Sequence, residues 1–114
     1  MHNCNNSQFL TPNHAFNCLK GVKDLFIIDT VVHQNIGNIN CLFTPYVPPG
    51  RFIEALKTSS FDYQDSDVIF AHQEFKGCFL KDIKSEHGDI WSTDNPLVIS
   101  GHIHGRQIPQ PNII

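Results

Sequence analysis

The chain has 114 residues, which predicts a single domain large enough to bury a core of its own. Its eight lysines and arginines and eleven aspartates and glutamates give a net charge of −3, so the composition offers no reason to expect strong binding to nucleic acids or membrane surfaces. The sequence has no apolar run of membrane-spanning length and no signal-peptide pattern, and its four cysteines form no C-x-x-C motif, so we expect a cytoplasmic protein with reduced thiols.

The first part of the chain predicts a short helix and a strand. A loosely helical pattern runs from Thr11 or Asn13 to Lys20 and is followed by Gly21, a residue typical of helix ends. Residues 25–32 are β-branched, aromatic or aliphatic for most of their length, which predicts a strand that bends near its middle.

The middle of the chain predicts a turn over residues 35–38, a strand over 39–43 and a second helix over 51–57. Prolines separate this strand from the helix, since proline cannot donate to a sheet ladder. Arg51, at the start of the helix, carries a planar guanidinium that suits phosphate binding, although pairing with a carboxylate such as Glu54 is the commoner role of such an arginine.

Two later apolar runs each lead to histidine. Residues 68–71 are followed by His72, and residues 97–99 lead through Ser-Gly to His102 and His104. Because open α/β sheets place their ligand sites at the carboxyl ends of strands, we expect the three imidazoles to meet at one sheet edge. Imidazole is the commonest protein ligand for transition metals, so the pattern indicates a metal site; for an isolated H-x-H motif, one packed and one solvated histidine would be an equal alternative.

Loop-forming residues dominate positions 75–95, between the two histidine motifs. This segment either shapes access to the candidate site or covers one face of the sheet. Residues 112–114 predict the beginning of a further strand.

Three motifs together resemble the carboxyl-terminal half of the calcineurin-like metallophosphoesterases. They are P-Y-V-P-P-G-R-F over 45–52, I-F-A-H-Q-E-F over 69–75 and I-S-G-H-I-H over 99–104. Each motif alone is a weak signal, whereas a strand that ends in histidine and a G-H-x-H motif about thirty residues later are specific in combination. The resemblance covers residues 8–114.

The resemblance implies an α/β fold with a mixed β-sheet and short flanking helices, as part of a four-layer αββα sandwich. Residues 1–114 would then be a single partial domain, the carboxyl-terminal half of the catalytic domain. The implied activity is metal-dependent hydrolysis of a phosphoester in a phosphoprotein, a nucleotide or a nucleic acid. The implied cofactor is a divalent transition metal (Mn, Zn, Fe or Ni), with one bound ion rather than two as an alternative.

The resemblance also implies roles for particular residues. His72 and His102 would bind one metal ion and His104 the other, while Gln73 and Glu74 would orient His72 or bound water. Further candidates are His2, which would protonate the leaving group, and Arg51 and Arg106, which would bind a phosphate oxygen. Outside the resemblance, His2 would be a terminal surface residue and Arg106 part of a solvated loop.

Two motifs of the family, D-x-H and G-D-x-x-D, are absent from this sequence. They supply the carboxylates of the two-metal site, so we expect the chain alone to bind at most one ion and to be inactive. A second chain that supplies the missing half-domain is one expected partner. The alternatives are a non-catalytic binding module and a structural remnant of a shortened reading frame.

Overall fold

The computed structural model describes residues 14–114, which fold around a four-stranded mixed sheet. In chain order the strands are β1 (Val32–Ile36), β2 (Ile39–Phe43), β3 (Val68–Ala71), β4 (Phe79–Leu80), β5 (Ile83–Lys84) and β6 (Leu97–Ser100). The main sheet has the order β1–β2–β3–β6, and β4 and β5 form a separate small hairpin. The helix α1 spans Phe52–Leu56, and short 3-10 helices span Ala15–Leu19 and Tyr63–Asp65.

The pairing directions follow from the connections. β1 and β2 are antiparallel and are joined by Gly37 and Asn38, both of which have positive φ angles, as a tight hairpin turn requires. β2, β3 and β6 are parallel to one another, so Leu42, Ile69 and Val98 lie side by side across three strands. Parallel strands need crossover connections, and the segments that contain α1 and the β4–β5 hairpin provide them.

The core lies on one face of this sheet. The row formed by Leu42, Ile69 and Val98 is fully buried against residues of α1 and of the two crossovers. The aromatic members are Phe52, Phe75 and Trp91, whose ring centroids lie 5.3 to 6.3 Å apart. Rings at these separations and inclined to one another pack favourably.

The other face of the sheet, called the outer face here, is also apolar. Val32, Phe43, Phe70 and Ile99 lie in register across its four strands, and the rings of Phe43 and Phe70 stack with centroids 5.1 Å apart. Residues 14–114 leave Phe70 36% and Ile99 38% exposed. Only one face of the sheet is therefore packed as a core by the part of the chain that is described.

The α/β class and the mixed sheet predicted from the sequence are confirmed. The strand predicted over 25–32 is wrong, because 25–31 form no strand and β1 begins at Val32. The tight turn at Gly37 and Asn38 sets the register with β2 and so places 35–36 in the strand rather than in a turn. Of the first predicted helix, the described part is the 3-10 helix; its earlier residues lie outside the described range.

The other predicted elements are close to those observed. The strand over 39–43 is β2, and the predicted helix over 51–57 contains α1. Residues 75–95 are mostly turns and bends around the small hairpin, and Ile113 forms a bridge with Val98 at the free edge of β6. None of the helices in residues 14–114 has the length and apolarity that crossing a membrane requires.

Candidate functional site

The structure brings His72 and His102 together at one edge of the sheet. β3 ends at Ala71 and β6 ends at Ser100, and these two residues pair in register. The histidines that follow have ring centroids 5.1 Å apart and rings at 90° to each other. Both side chains are partly buried. The expectation that these two histidines meet where their parallel strands end agrees with this placement.

Tyr46 is a third ring in this cluster. It follows β2, the neighbour of β3, and its ring lies 5.7 Å from His102 in a stacked arrangement and 6.3 Å from His72 in an edge-on one. Contact with an aromatic ring restricts how an imidazole can rotate. Tyr46 lies in the P-Y-V-P-P-G-R-F motif over 45–52, which predicted no role for it, although its place just after β2 was a usable signal.

The backbone around His72 is fixed by bonds to the end of β6. Gly101 N–H donates to the Ala71 carbonyl at 3.1 Å, which extends the ladder by one bond. Gln73 N–H then donates to Ser100 Oγ at 2.8 Å, and this hydroxyl donates to the Gln73 carbonyl, also at 2.8 Å. His72 therefore lies between two residues that are both tied to β6.

The side chains of Gln73 and Glu74 bond to the 75–89 segment. Gln73 Nε2 donates to Asp89 Oδ2 at 2.5 Å, and Glu74 Oε1 accepts a bond from the Ser85 hydroxyl. Asp89 Oδ1 also accepts from the Phe52 N–H at 3.1 Å, at the start of α1. Gln73 and Glu74 thus connect the end of β3, next to His72, with the crossover between β3 and β6. A bond from either side chain to the His72 ring stays a prediction.

His104 lies two residues after His102 in the same loop, and its expected place beside the His72–His102 pair stays a prediction. It is exposed and, with His102, lines an open cavity of about 540 Å³. The β4–β5 hairpin forms the opposite wall through Phe79, Leu80 and Lys81. The Gln107 side chain holds this wall in place, because its amide oxygen accepts from Phe79 N–H at 2.7 Å and its amide nitrogen donates to the Phe79 carbonyl at 2.6 Å.

The two candidate arginines are placed differently. Arg51 forms a two-pronged ion pair with Glu54, with Nε and Nη2 at 2.9 and 2.7 Å from the carboxylate oxygens. This pairing, the commoner role expected for Arg51, lowers the pKa of Glu54 and raises that of Arg51. Arg106 is exposed and lines a second cavity of about 240 Å³ beside Gln73 and Ser100.

Cys78 lines the same small cavity as Arg106 and is buried. Desolvation raises the pKa of its thiol, so this cysteine is held in the protonated form at neutral pH. His2 lies outside the described residues.

The donor set at the sheet edge suits a transition metal but is small. Residues 14–114 contain no group of three histidine, cysteine or acidic side chains placed to hold a metal ion. The His72–His102 pair offers two imidazoles, which match the ligand preference of Zn, Fe, Mn or Ni sites. A metal held there would need further ligands in addition to this pair.

Sequence comparison finds relatives with phosphoesterase names. The chain is 50% identical over 111 residues to "Putative phosphoesterase 078R" of Invertebrate iridescent virus 3, which covers 96% of this chain and 32% of the relative. It is 49% identical over 110 residues to "Putative phosphoesterase 244L" of Invertebrate iridescent virus 6, covering 96% of this chain and 39% of that protein.

No protein-family model matches the chain, and no solved structure matches it. The chain spans about a third of the length of the first relative and two fifths of the second. It is therefore similar to one part of proteins that bear a phosphoesterase name.

Proposed function

We propose that this chain contributes part of the active site of a metal-dependent phosphoesterase of the calcineurin-like type. The observation that carries the proposal is the pair of perpendicular imidazoles, His72 and His102, where adjacent parallel strands end. The phosphoesterase names of two relatives at about 50% identity support the same activity.

In this proposal, His72 and His102 hold a divalent transition ion through neutral imidazole nitrogens, and Tyr46 limits the rotation of both rings. His104 and the cavity that it lines lie next to this pair and receive the phosphoester. A bound metal ion of this kind acts as a Lewis acid toward a phosphoryl oxygen. Arg106 offers a cationic side chain on the same loop for the phosphate charge.

The remaining ligands come, in this proposal, from protein that corresponds to the other two thirds of the relatives' length. That part carries the D-x-H and G-D-x-x-D carboxylates, in the same polypeptide or in a second chain. Its apolar surface covers the outer face, where Phe70 and Ile99 are partly exposed, and completes a four-layer sandwich. An apolar sheet face of this kind is normally buried against another layer.

The substrate proposed is a phosphoester of a phosphoprotein, a nucleotide or a nucleic acid. The cavity beside His102 and His104, about 540 Å³, lies within the usual size range of small-molecule sites, roughly 300–1,000 Å³. Lys81 lines this cavity and supplies local positive charge, although the chain as a whole has a net charge of −3. Arg106 lies on the same histidine loop but lines the smaller cavity.

Metal titration of the chain tests this proposal. We expect calorimetry with Zn²⁺ to give no more than one ion per chain, because two imidazoles without carboxylates cannot balance the charge of two ions. His72→Ala and His102→Ala should each weaken binding by more than the roughly 10- to 100-fold that is typical of losing a group that orients a metal ligand, because each removes a direct ligand. His87→Ala, at an exposed histidine outside the site, is the matched control and should bind as the wild type does.

The catalytic part of the test uses an activated aryl phosphodiester with Mn²⁺. The chain alone should not exceed a His102→Ala, His104→Ala variant, whereas adding a protein segment that bears the two carboxylate motifs should restore metal-dependent turnover. Loss of one electrostatic element of such a site costs about a hundred- to thousandfold in rate. Two tightly bound ions per chain, or turnover by the chain alone that the double substitution abolishes, would contradict the argument.

A non-catalytic binding module is the second candidate function. The exposed outer face favours it, since contiguous apolar surface on a sheet is typical of association sites. In that case the carboxylate-bearing segment would associate with the chain without restoring hydrolysis.

A further inference from the structure

We propose that the Ser100 hydroxyl is a positioning group that sets the spacing and angle between His72 and His102. The inference rests on the proposed function for its purpose, since it concerns the two histidines assigned there to a metal ion. Its structural basis, however, is a set of hydrogen bonds within the described residues.

The ladder between β3 and β6 ends just before the histidines. Ala71 and Ser100 are its last paired residues, and the Gly101 N–H to Ala71 carbonyl bond follows at 3.1 Å. Beyond this point the residues after β6 form a loop and not a strand. The backbone of β6 therefore offers no further ladder bonds to the N–H and carbonyl of Gln73.

Ser100 replaces those partners with a side chain. Its hydroxyl accepts from the Gln73 N–H and donates to the Gln73 carbonyl, both at 2.8 Å. A hydroxyl can donate and accept at the same time, so a single oxygen satisfies both backbone groups of Gln73. An alanine at this position could do neither.

The consequence for the histidines follows from their neighbours. His72 lies between Ala71 and Gln73, and both are bonded to the end of β6. His102 lies two residues after Ser100 on the other strand. The same hydroxyl thus restrains the backbone next to one histidine and belongs to the segment that carries the other, which fits the perpendicular ring arrangement at 5.1 Å.

Gln73 is held from its other end as well. Its side chain donates to Asp89, and this carboxylate also accepts from the first N–H of α1. Gln73 is 1% exposed, and the bond to Asp89 holds its buried side chain. Loss of the Ser100 bonds would leave the Asp89 contact alone to place Gln73, and with it the His72 backbone.

Substitutions at Ser100 distinguish a role in positioning the two histidines from a role in stabilising the fold. Ser100→Ala should weaken Zn²⁺ binding by roughly 10- to 100-fold, which is the usual cost of removing a group that orients a metal ligand. Ser100→Thr keeps the hydroxyl and should restore affinity to within about threefold of the wild type, a smaller change than that range. Ser66→Ala is the control, because Ser66 is buried and, like Ser100, donates a hydroxyl bond to a backbone carbonyl, at Tyr63.

Ring signals of the histidines provide a readout that needs no metal. In the metal-free chain, the imidazole ¹⁵N and ¹³C shifts of His72 and His102 should change in Ser100→Ala but stay unchanged in Ser66→Ala. With Co²⁺ bound, the wavelength of the visible absorption band should change in Ser100→Ala and should equal the wild-type wavelength in Ser100→Thr. If the wild-type chain binds no metal either alone or together with the carboxylate-bearing segment, the proposed function fails, while the metal-free ring shifts still test Ser100.

Ser100→Cys covers the case in which the alanine variant does not fold. A thiol is somewhat larger than a hydroxyl and is a weak hydrogen-bonding group, so this variant should reproduce the metal-free ring shifts. Its metal affinity is not compared, because a thiolate is itself a zinc ligand. Wild-type ring shifts in folded Ser100→Ala or Ser100→Cys, or wild-type metal affinity in Ser100→Ala, would overturn the proposal. So would equal changes in the Ser66→Ala control.

Discussion

Asp89 connects three parts of the molecule through one buried carboxylate. It accepts from the Gln73 side chain and from the Phe52 N–H, while its own N–H donates to the Glu74 carbonyl at 2.9 Å. The first turn of a helix leaves its N–H groups without partners inside the helix, so the bond to Phe52 supplies one from outside it. The side chain therefore fixes α1 and the segment next to His72 together.

Replacement of Asp89 by asparagine should destabilise the fold. The amide keeps the size of the carboxylate, but an NH₂ group replaces one of the two acceptor oxygens and would face a donor, either the Gln73 amide nitrogen or the Phe52 N–H. We expect the free energy of unfolding in urea to fall by about 1–3 kcal/mol, the cost of leaving a buried polar group unpaired. Asp82→Asn, at an exposed position in the small hairpin, should leave stability within about 0.5 kcal/mol of the wild type. Equal stability of both variants would contradict this role.

At this scale the sequence predicted some residues of the candidate site and missed others. The positions of His72 and His102 after apolar runs were sufficient to predict their meeting, because parallel strands end at the same sheet edge. Tyr46 and Ser100 were not assigned roles. Their contacts depend on strand register and on which way a loop turns, and a single sequence does not encode either in a local pattern.

Among the elements, the crossover between β3 and β6 is ordered by a close backbone contact at Gly88. A Cβ atom at this position would lie 2.4 Å from the Phe75 carbonyl carbon and 2.5 Å from the Lys76 nitrogen. Phe75 and Asp89 form a parallel bridge here, and Lys76 N–H donates to the Asp89 carbonyl at 2.9 Å. Only glycine allows the two backbone segments to approach this closely.

Gly88→Ala should therefore loosen the crossover. Because the added methyl group meets backbone atoms, which cannot rotate away, we expect a loss of about 1–3 kcal/mol in the free energy of unfolding, the usual cost of overpacking. The matched control is Gly105→Ala, where a Cβ atom would meet nothing within 4 Å. Urea unfolding of the two variants measures the difference, and a Gly88→Ala chain as stable as the control would refute the close contact.

The strands and the helix were predictable where the apolar pattern of a segment agreed with turn residues or prolines at its ends. β2, α1, β3 and β6 correspond to predicted segments, because turn residues or prolines bound each apolar run. The strand predicted over 25–32 failed, since apolar composition alone does not provide a partner strand. Phe26 in that segment is 86% exposed, and the tight turn at residues 37–38 selects Val32–Ile36 to pair with β2 instead.

At the scale of the whole molecule, the outer face is unusual because part of its apolar surface is not buried by residues 14–114. Its apolar row crosses all four strands, and the stacked pair Phe43 and Phe70 lies on the two central strands, β2 and β3. Exposed apolar surface of this kind favours association, because removing apolar surface from water contributes about 25 cal/mol of free energy per Å² buried.

Phe70→Ser should reduce self-association of the chain. Sedimentation velocity over a range of concentrations should give a lower association constant for this variant than for the wild type, by about tenfold if one partly exposed phenylalanine contributes roughly 1.4 kcal/mol. Phe79→Ser is the control, because Phe79 is 49% exposed but belongs to the separate hairpin. A wild-type chain that stays monomeric at all concentrations, or equal effects of the two substitutions, would count against association through the outer face.

The fold class was predictable at this scale and the number of layers was not. Alternation of strand-like runs with a helical segment indicated a mixed α/β sheet, which the strand order confirms. The sandwich came only from the resemblance. A second layer on the outer face requires residues beyond those that pack in 14–114, and no pattern within them specifies its structure.

The two kinds of strand pairing also imply an order of folding. The β1–β2 hairpin closes across two residues, so it can form within about 1–10 μs, as hairpins generally do. The parallel pairs join Leu42 to Ile69 and Ile69 to Val98, and these contacts must wait for two long crossovers to close. His72 and His102 lie at the ends of the strands that pair late. We therefore expect the imidazole pair to assemble after the hairpin, so that a ligand that requires both rings selects chains in which the parallel pairs have formed.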